Sequence, residues 1–145
     1  MPPLGDHLFA ALAWIWFINL YNFMDGIDGI TGVETATIGL GLTLVSLVAG
    51  LAAPVAGLGM AMAGAACGFL LWNWTPAKLF LGDVGSVPLG FLAGFLLLYL
   101  ASEGHLAPAI ILPLYYLFDA MATLLRRLEH VPAQLNREGF PLGQA

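Results

Sequence analysis

Ala56-Gly57-Leu58-Gly59-Met60-Ala61-Met62-Ala63-Gly64-Ala65-Ala66-Cys67-Gly68-Phe69-Leu70-Leu71-Trp72 carries no charged side chain from end to end. A continuous run of this length, dominated by Ala, Gly and Leu rather than β-branched residues, reads as an α-helix crossing a bilayer. Similar runs lie on both sides of it, at 8–20, 30–51, 87–101 and 107–125, with 8–20 and 87–101 short for a full span. Composition agrees. The chain has 145 residues, of which 60% are hydrophobic and 9% charged; an ordinary soluble domain carries about 25% charged residues. Mean hydropathy is +0.89. These values exclude a soluble globular domain and a disordered chain. Four Lys and Arg residues and a formal net charge of −5 also exclude a nucleic-acid binder, which needs a basic field. The runs are continuous rather than alternating, so a β-barrel is excluded. The expected fold is all-α: a polytopic membrane helix bundle of about five transmembrane helices. Residues 1–128 form the membrane domain and 129–145 a polar cytoplasmic tail.

Finer features follow from the same pattern. No positive n-region precedes the first run, so that run is expected to be retained. Gly64 and Gly68 have the spacing that lets helix backbones approach, for packing within the chain or, alternatively, for a homodimer contact. Cys67, the single cysteine, reads as a small packing residue between them. Trp14, Trp16, Trp72 and Trp74 read as interfacial aromatic belts. His7, His105 and His130 fall at span ends with no ligand spacing joining them. Lys78 lies between the third and fourth runs, and Arg126 and Arg127 end the fifth. The positive-inside rule puts both sites in the cytoplasm, with the N-terminus outside and the C-terminus inside. The expected location is the inner (plasma) membrane, with the functional face cytoplasmic.

Two loops on that face carry the chemistry. The first, within 19–32, reads Asn19-Leu20-Tyr21-Asn22-Phe23-Met24-Asp25-Gly26-Ile27-Asp28-Gly29. An ionised Asp at the bilayer centre costs about 2.5–3.5 kcal/mol even on the lenient insertion scale. Asp25 and Asp28 therefore belong at the interface or in a hydrated cavity. Thr31 and Glu34 have the spacing of a capping box opening the second helix. The second loop, within 76–86, reads Lys78-Leu79-Phe80-Leu81-Gly82-Asp83-Val84-Gly85-Ser86. Ser86 fits an N-cap of the fourth helix, and N–H groups at a helix start attract phosphate. Gly82 and Gly85 let that backbone come close. Asp83 would repel phosphate unless a divalent cation lies between them. Mg²⁺, which takes one or two carboxylates plus phosphate oxygens, suits that place. Lys78 adds a point charge for phosphate. Asp119 lies in the fifth run, roughly 10 Å deep by the helical rise, and an intramembrane acid is a functional candidate. Thr123 follows it one turn on, on the same face.

Each feature also has a plainer reading. Asp25 to Gly29 and Asp83 suit ordinary turns. Asn19 and Asn22 suit interhelical hydrogen bonding. Asp119 suits a bridge to a helix-end Arg. An acidic Ca²⁺ loop is a poor match, because its ligand ladder is missing. Convergence favours chemistry: acids, amides, one Lys and two helix N-termini gather on one membrane face. A site for a diphosphate substrate and Mg²⁺ accounts for all of them.

The two loop motifs, with the run Asp119 through Thr123 to Arg126-Arg127, closely resemble the polyprenyl-phosphate N-acetylhexosamine-1-phosphate transferase family, glycosyltransferase family 4. This family includes the phospho-N-acetylmuramoyl-pentapeptide transferases and the enzymes that start O-antigen chains. The resemblance covers about 14–128. It implies transfer of an N-acetylhexosamine-1-phosphate from a UDP-sugar to polyprenyl (undecaprenyl) phosphate, with Mg²⁺, releasing UMP for cell-envelope polysaccharide synthesis. By motif matching, Asp83 is the metal ligand, and Asp25, Asp28 and Asp83 are the catalytic candidates. Asn19, Asn22, Lys78, Gly82, Gly85, Ser86 and Asp119 are the candidate substrate contacts. The Asn22-Phe23-Met24-Asp25-Gly26 wording and Lys78 lean toward the branch using UDP-GlcNAc and away from the peptidoglycan branch.

The departures are equally definite. Family members are longer and carry a paired Asp-Asp motif upstream, and this chain has no such pair. Its tail from His130 does not match the family's His-bearing segment. The expectation is an incomplete copy holding the second half of an active site, without turnover by itself. The alternative is a non-catalytic membrane remnant or interaction subunit that binds nucleotide-sugar. A channel or transporter would spread its acids through several spans at midplane depth; here only Asp119 is deep.

Overall fold

The computed structural model describes residues 4–137. They form α1 (Leu4–Met24), α2 (Ile30–Ala49), α3 (Ala53–Asn73), α4 (Gly82–Ser102), α5 (Leu106–Ile111) and α6 (Leu114–Arg137). No strand occurs among the described residues. The first four helices are each long and apolar enough to cross a membrane. Their outer faces carry large apolar side chains, among them Val48 (81% exposed) and Leu71 (82% exposed). Such surfaces need lipid rather than water against them. The chain is an all-α polytopic membrane protein.

The helices associate as two pairs, α1 with α4 and α2 with α3. Lipid offers little hydrophobic drive between helices, so close packing must hold each pair together. Between α2 and α3 the backbones nearly touch. A Cβ placed on Gly39 would lie 2.5 Å from the Gly59 carbonyl oxygen. Thr43 donates its hydroxyl to the Gly39 carbonyl oxygen (2.8 Å) and lies 3.2 Å from that of Ala56, across the crossing. Between α1 and α4 the glycines receive side chains instead: Gly90 faces Tyr21, and Gly94 faces Trp14 and Phe17. Tyr21, Ile38, Leu42, Leu96, Leu100 and Tyr116 are fully buried and knit the pairs into one core.

Three expectations are corrected here. Gly64 and Gly68 do not pack within the chain, since a Cβ on either meets nothing within 4 Å. The close crossing falls on Gly39 and Gly59, and Cys67 is exposed. Trp14 is no interfacial belt residue. Its indole N–H donates to the Phe91 carbonyl oxygen (3.0 Å), and its ring lies 4.5 Å from that of Phe91. The fifth run, 107–125, is not one span but α5 and α6. Pro113 explains the break, because it has no N–H to donate and its ring clashes with the preceding turn. α6 continues to Arg137, past the start of the expected tail at 129, and residues 138–145 lie outside the described residues.

Candidate functional site

The α1–α2 loop (25–29) and the α3–α4 loop (74–81) meet at one end of the bundle. Asn73, at the last position of α3 and 6% exposed, joins them. Its Oδ1 accepts the Gly29 N–H (2.8 Å) and its Nδ2 donates to the Leu79 carbonyl oxygen (2.8 Å). Gly29 adopts φ 80°, a left-handed conformation that suits glycine, which lets its N–H turn toward Asn73. Asp28 Oδ2 accepts the Ala77 N–H at 3.0 Å, a second tie between the loops. The Thr75–Pro76 peptide bond in this segment is cis.

The other polar cluster lies on the α1–α4 pair. Asn22 Nδ2 donates to Asp83 Oδ1 and to Ser86 Oγ, both at 2.9 Å, across 61 and 64 residues of sequence. α4 begins at Gly82, not at Ser86, so Ser86 is no N-cap. It is a fully buried helical residue whose hydroxyl meets Asn22. Asp83 instead occupies the first turn, where the helix dipole favours a carboxylate. It is exposed and open to a ligand.

Beside this cluster runs a groove of about 480 Å³ between α1 and α6. Trp16, Leu20, Phe23, Ala120 and Met121 make it largely apolar, and Asn19, Asn22 and Thr123 supply its polar points. Its wall thus runs from lipid-facing side chains to the amide that touches Asp83.

The remaining candidates take distinct places. Asn19 lines the groove, but its side-chain amide donates to its own helix, at the Ile15 carbonyl oxygen (3.0 Å). Asp25 is half-buried, with its N–H 3.3 Å from the Asn22 carbonyl oxygen. Lys78 is exposed, and its backbone N–H closes the loop on the Trp72 carbonyl oxygen (2.8 Å). Gly82 has φ 60° and open space around it. At Gly85 a Cβ would strike the Leu81 side chain at 2.3 Å, so this glycine makes room for its own neighbour. Asp119 is half-buried on α6, and Ala120 and Thr123, rather than Asp119, line the groove.

The capping box is overturned: α2 has Gly29 at its N-cap, with no side-chain cap hydrogen bond. Thr31 and Glu34 are both buried. The Thr31 hydroxyl accepts from the Tyr116 hydroxyl at 3.0 Å. Tyr21 and Thr35 hydrogen-bond through their hydroxyls, and Thr35 donates to the Thr31 carbonyl oxygen (2.6 Å). Asn73, Tyr21 and Tyr116 escaped the sequence reading. For Asn73 a signal existed, an amide closing an apolar run just before Pro76.

The described residues contain no group of three His, Cys, Asp or Glu side chains able to hold a metal by themselves. The donor set is instead one exposed carboxylate beside an amide and a hydroxyl. That suits Mg²⁺, which binds through one or two carboxylates and takes substrate phosphate oxygens for the rest.

Known proteins resemble the chain over most of its length. The glycosyl transferase family 4 profile matches residues 1–101. A phospho-N-acetylmuramoyl-pentapeptide-transferase of Moorella thermoacetica is 33% identical over 122 residues, covering 82% of this chain and 36% of the relative. One from Hydrogenobaculum sp. is 38% identical over 103 residues, covering 61% and 29%. One from Streptococcus pneumoniae is 30% identical over 121 residues, covering 83% and 36%. The chain therefore spans about a third of the length of these relatives.

Proposed function

The chain belongs to glycosyl transferase family 4, and on that premise we propose that it carries part of a site transferring an N-acetylhexosamine-1-phosphate from a UDP-sugar to polyprenyl phosphate. The relatives' names support the reaction class. The Asn22-Phe23-Met24-Asp25-Gly26 wording and Lys78 favour UDP-GlcNAc as the donor. The observation that carries the reading is the meeting of Asn22, Asp83 and Ser86 at the end of an apolar groove. A lipid phosphate needs that combination: an apolar track for its chain, and a polar end where its headgroup meets the nucleotide-sugar diphosphate.

In this reaction an oxygen of the polyprenyl phosphate attacks the sugar-bearing phosphorus of the donor. The bond from that phosphorus to the bridging oxygen breaks, and UMP leaves. Such chemistry rests on positioning and charge stabilisation more than on covalent help from the protein. Asp83 would hold Mg²⁺, which supplies charge neutralisation on the diphosphate when bound. The Asn22 amide orients the Asp83 carboxylate. Lys78 provides an exposed cation for phosphate. Asp25 and Asp28 shape the loop over the nucleotide, with Asp28 tied to Ala77. The working face is cytoplasmic, where UDP-sugars are made, in the plasma membrane.

The test is Mg²⁺-dependent binding of UDP-GlcNAc by the protein in nanodiscs. Binding should require Mg²⁺ and weaken by about tenfold to a hundredfold in Asp83→Asn, the scale at which metal-site residues act on affinity. Affinity unchanged in Asp83→Asn would remove Asp83 from the site and overturn this reading.

A further inference from the structure

Four hydroxyl side chains have no role in the reaction proposed above, yet all four are fully buried: Tyr21, Thr31, Thr35 and Tyr116. A hydroxyl withdrawn from water is costly unless it is hydrogen-bonded, and these are bonded to one another. Tyr21 and Thr35 meet through their hydroxyls. The Thr35 hydroxyl donates to the Thr31 carbonyl oxygen at 2.6 Å. A threonine hydroxyl has one proton, and that proton goes to Thr31. The Tyr21 hydroxyl is therefore the donor toward Thr35. Tyr116 donates to Thr31 Oγ1 at 3.0 Å, and its ring stands edge-on to that of Tyr21, with centroids 5.1 Å apart.

The bond from Tyr21 crosses between the two helix pairs, since Tyr21 lies on α1 and Thr35 on α2. These two helices make little direct contact with each other, and α4 packs against both. α4 brings α1 in closely: a Cβ on Gly90 would lie 2.8 Å from Tyr21 Cβ. Apolar packing of this kind is non-directional, whereas a hydrogen bond fixes an angle as well as a distance. Each end of the Tyr21–Thr35 bond lies beside one half of the site. Asn22 follows Tyr21 and holds Asp83 and Ser86. Thr35 is one turn beyond Thr31, which opens α2 after Asp28 and Gly29, and these two residues are tied to Ala77 and Asn73.

We propose that Tyr21 is a positioning residue: its hydroxyl, donated to Thr35, locks α1 against α2 and so sets the Asn22–Asp83 cluster against the Asp28 loop. The bond stands on the contacts alone; what it positions rests on the transferase reading.

Two readouts on the intact protein in nanodiscs test this. Backbone hydrogen exchange is followed for peptides covering 19–24 and 30–36, with 38–46 as an internal control, alongside Mg²⁺-dependent binding of UDP-GlcNAc. Tyr21→Phe keeps the ring and removes the hydroxyl. It should speed exchange at 19–24 and 30–36 by about fivefold, the scale of one hydrogen bond's net contribution, and leave 38–46 protected. It should also weaken binding by about tenfold, the scale at which supporting residues act on a site. Thr35→Val leaves the Tyr21 hydroxyl without its acceptor and should weaken binding at least as much. Adding Tyr21→Phe to Thr35→Val removes that stranded group and should weaken binding no further. Thr35→Ser keeps the hydroxyl and should bind as the wild type does. Unchanged exchange or unchanged affinity in Tyr21→Phe, losses that add in the double variant, or a Ser variant no better than Val would overturn the assignment. Faster exchange that extends to 38–46 would show a general loss of stability and overturn it too. Tyr21→Phe and Thr35→Ser decide the matter if Thr35→Val fails to accumulate. A wild-type protein that binds no UDP-GlcNAc would sink the transferase reading, while the exchange data still decide the bond.

Discussion

The α1–α4 and α2–α3 pairs solve the same problem, holding two helices together in lipid, by different means. In α2–α3 the contact is backbone on backbone, with Gly39 under the Gly59 carbonyl. In α1–α4 it is side chain into glycine, with Trp14, Phe17 and Tyr21 filling the space over Gly94 and Gly90. Their polar ends differ in parallel. The α2–α3 end buries Asn73 as a latch between loops. The α1–α4 end leaves Asp83 exposed beside Asn22. The pair in backbone contact thus holds the loops, and the pair with side chains packed over its glycines presents the chemistry.

Glycine substitutions probe this contrast most strongly. In Gly39→Ala the new Cβ meets backbone that cannot step aside, so a loss of about 3 kcal/mol is expected, the upper range for overpacking. Thermal unfolding in detergent reads it, and a Tm equal to wild type would remove the close crossing. Asn73→Ala comes next. It leaves the Gly29 N–H without a partner in a buried place, at a cost of about 2 kcal/mol. The same unfolding assay, with proteolysis of the 74–81 loop as a local readout, should show both losses. Gly94→Ala meets only Trp14 and Phe17 side chains, at 2.7 and 3.0 Å, which can shift. About 1 kcal/mol is expected there, and a loss as large as at Gly39 would erase the distinction between the pairs. Gly64→Ala faces open space and should stabilise by up to about 1 kcal/mol through helix propensity. Marked destabilisation would show that something packs on that face.

Much of this architecture is visible in the sequence because its signals are local. An uncharged run such as 56–72 has few alternatives to a membrane helix. Acids flanked by glycines, as at Asp25 to Gly29 and Gly82 to Gly85, can only sit where water or ligand reaches them. The misreadings share another cause. Thr31 and Glu34 have capping-box spacing, but that pattern cannot register that α6 brings the Tyr116 hydroxyl to Thr31 from a segment far along the chain. Ser86 looks like a helix start because Gly85 precedes it, yet Asn22 on α1 makes use of its hydroxyl within the helix. Gly64 and Gly68 carry the close-packing spacing, but which face of α3 meets α2 is settled by Gly39 and Thr43 on the other helix. In each case the deciding partner is distant in sequence, where spacing carries no information.

The reading of Asn22 and Asp83 as one functional unit is tested most directly by a double-mutant cycle. Mg²⁺-dependent affinity for UDP-GlcNAc is measured for the wild-type protein, Asn22→Ala, Asp83→Asn and the double variant. If the two residues work together, the losses are non-additive, with a coupling energy of about 1–2 kcal/mol. Losses that add to within about 0.5 kcal/mol would mean that the residues act independently, and the shared site would be contradicted.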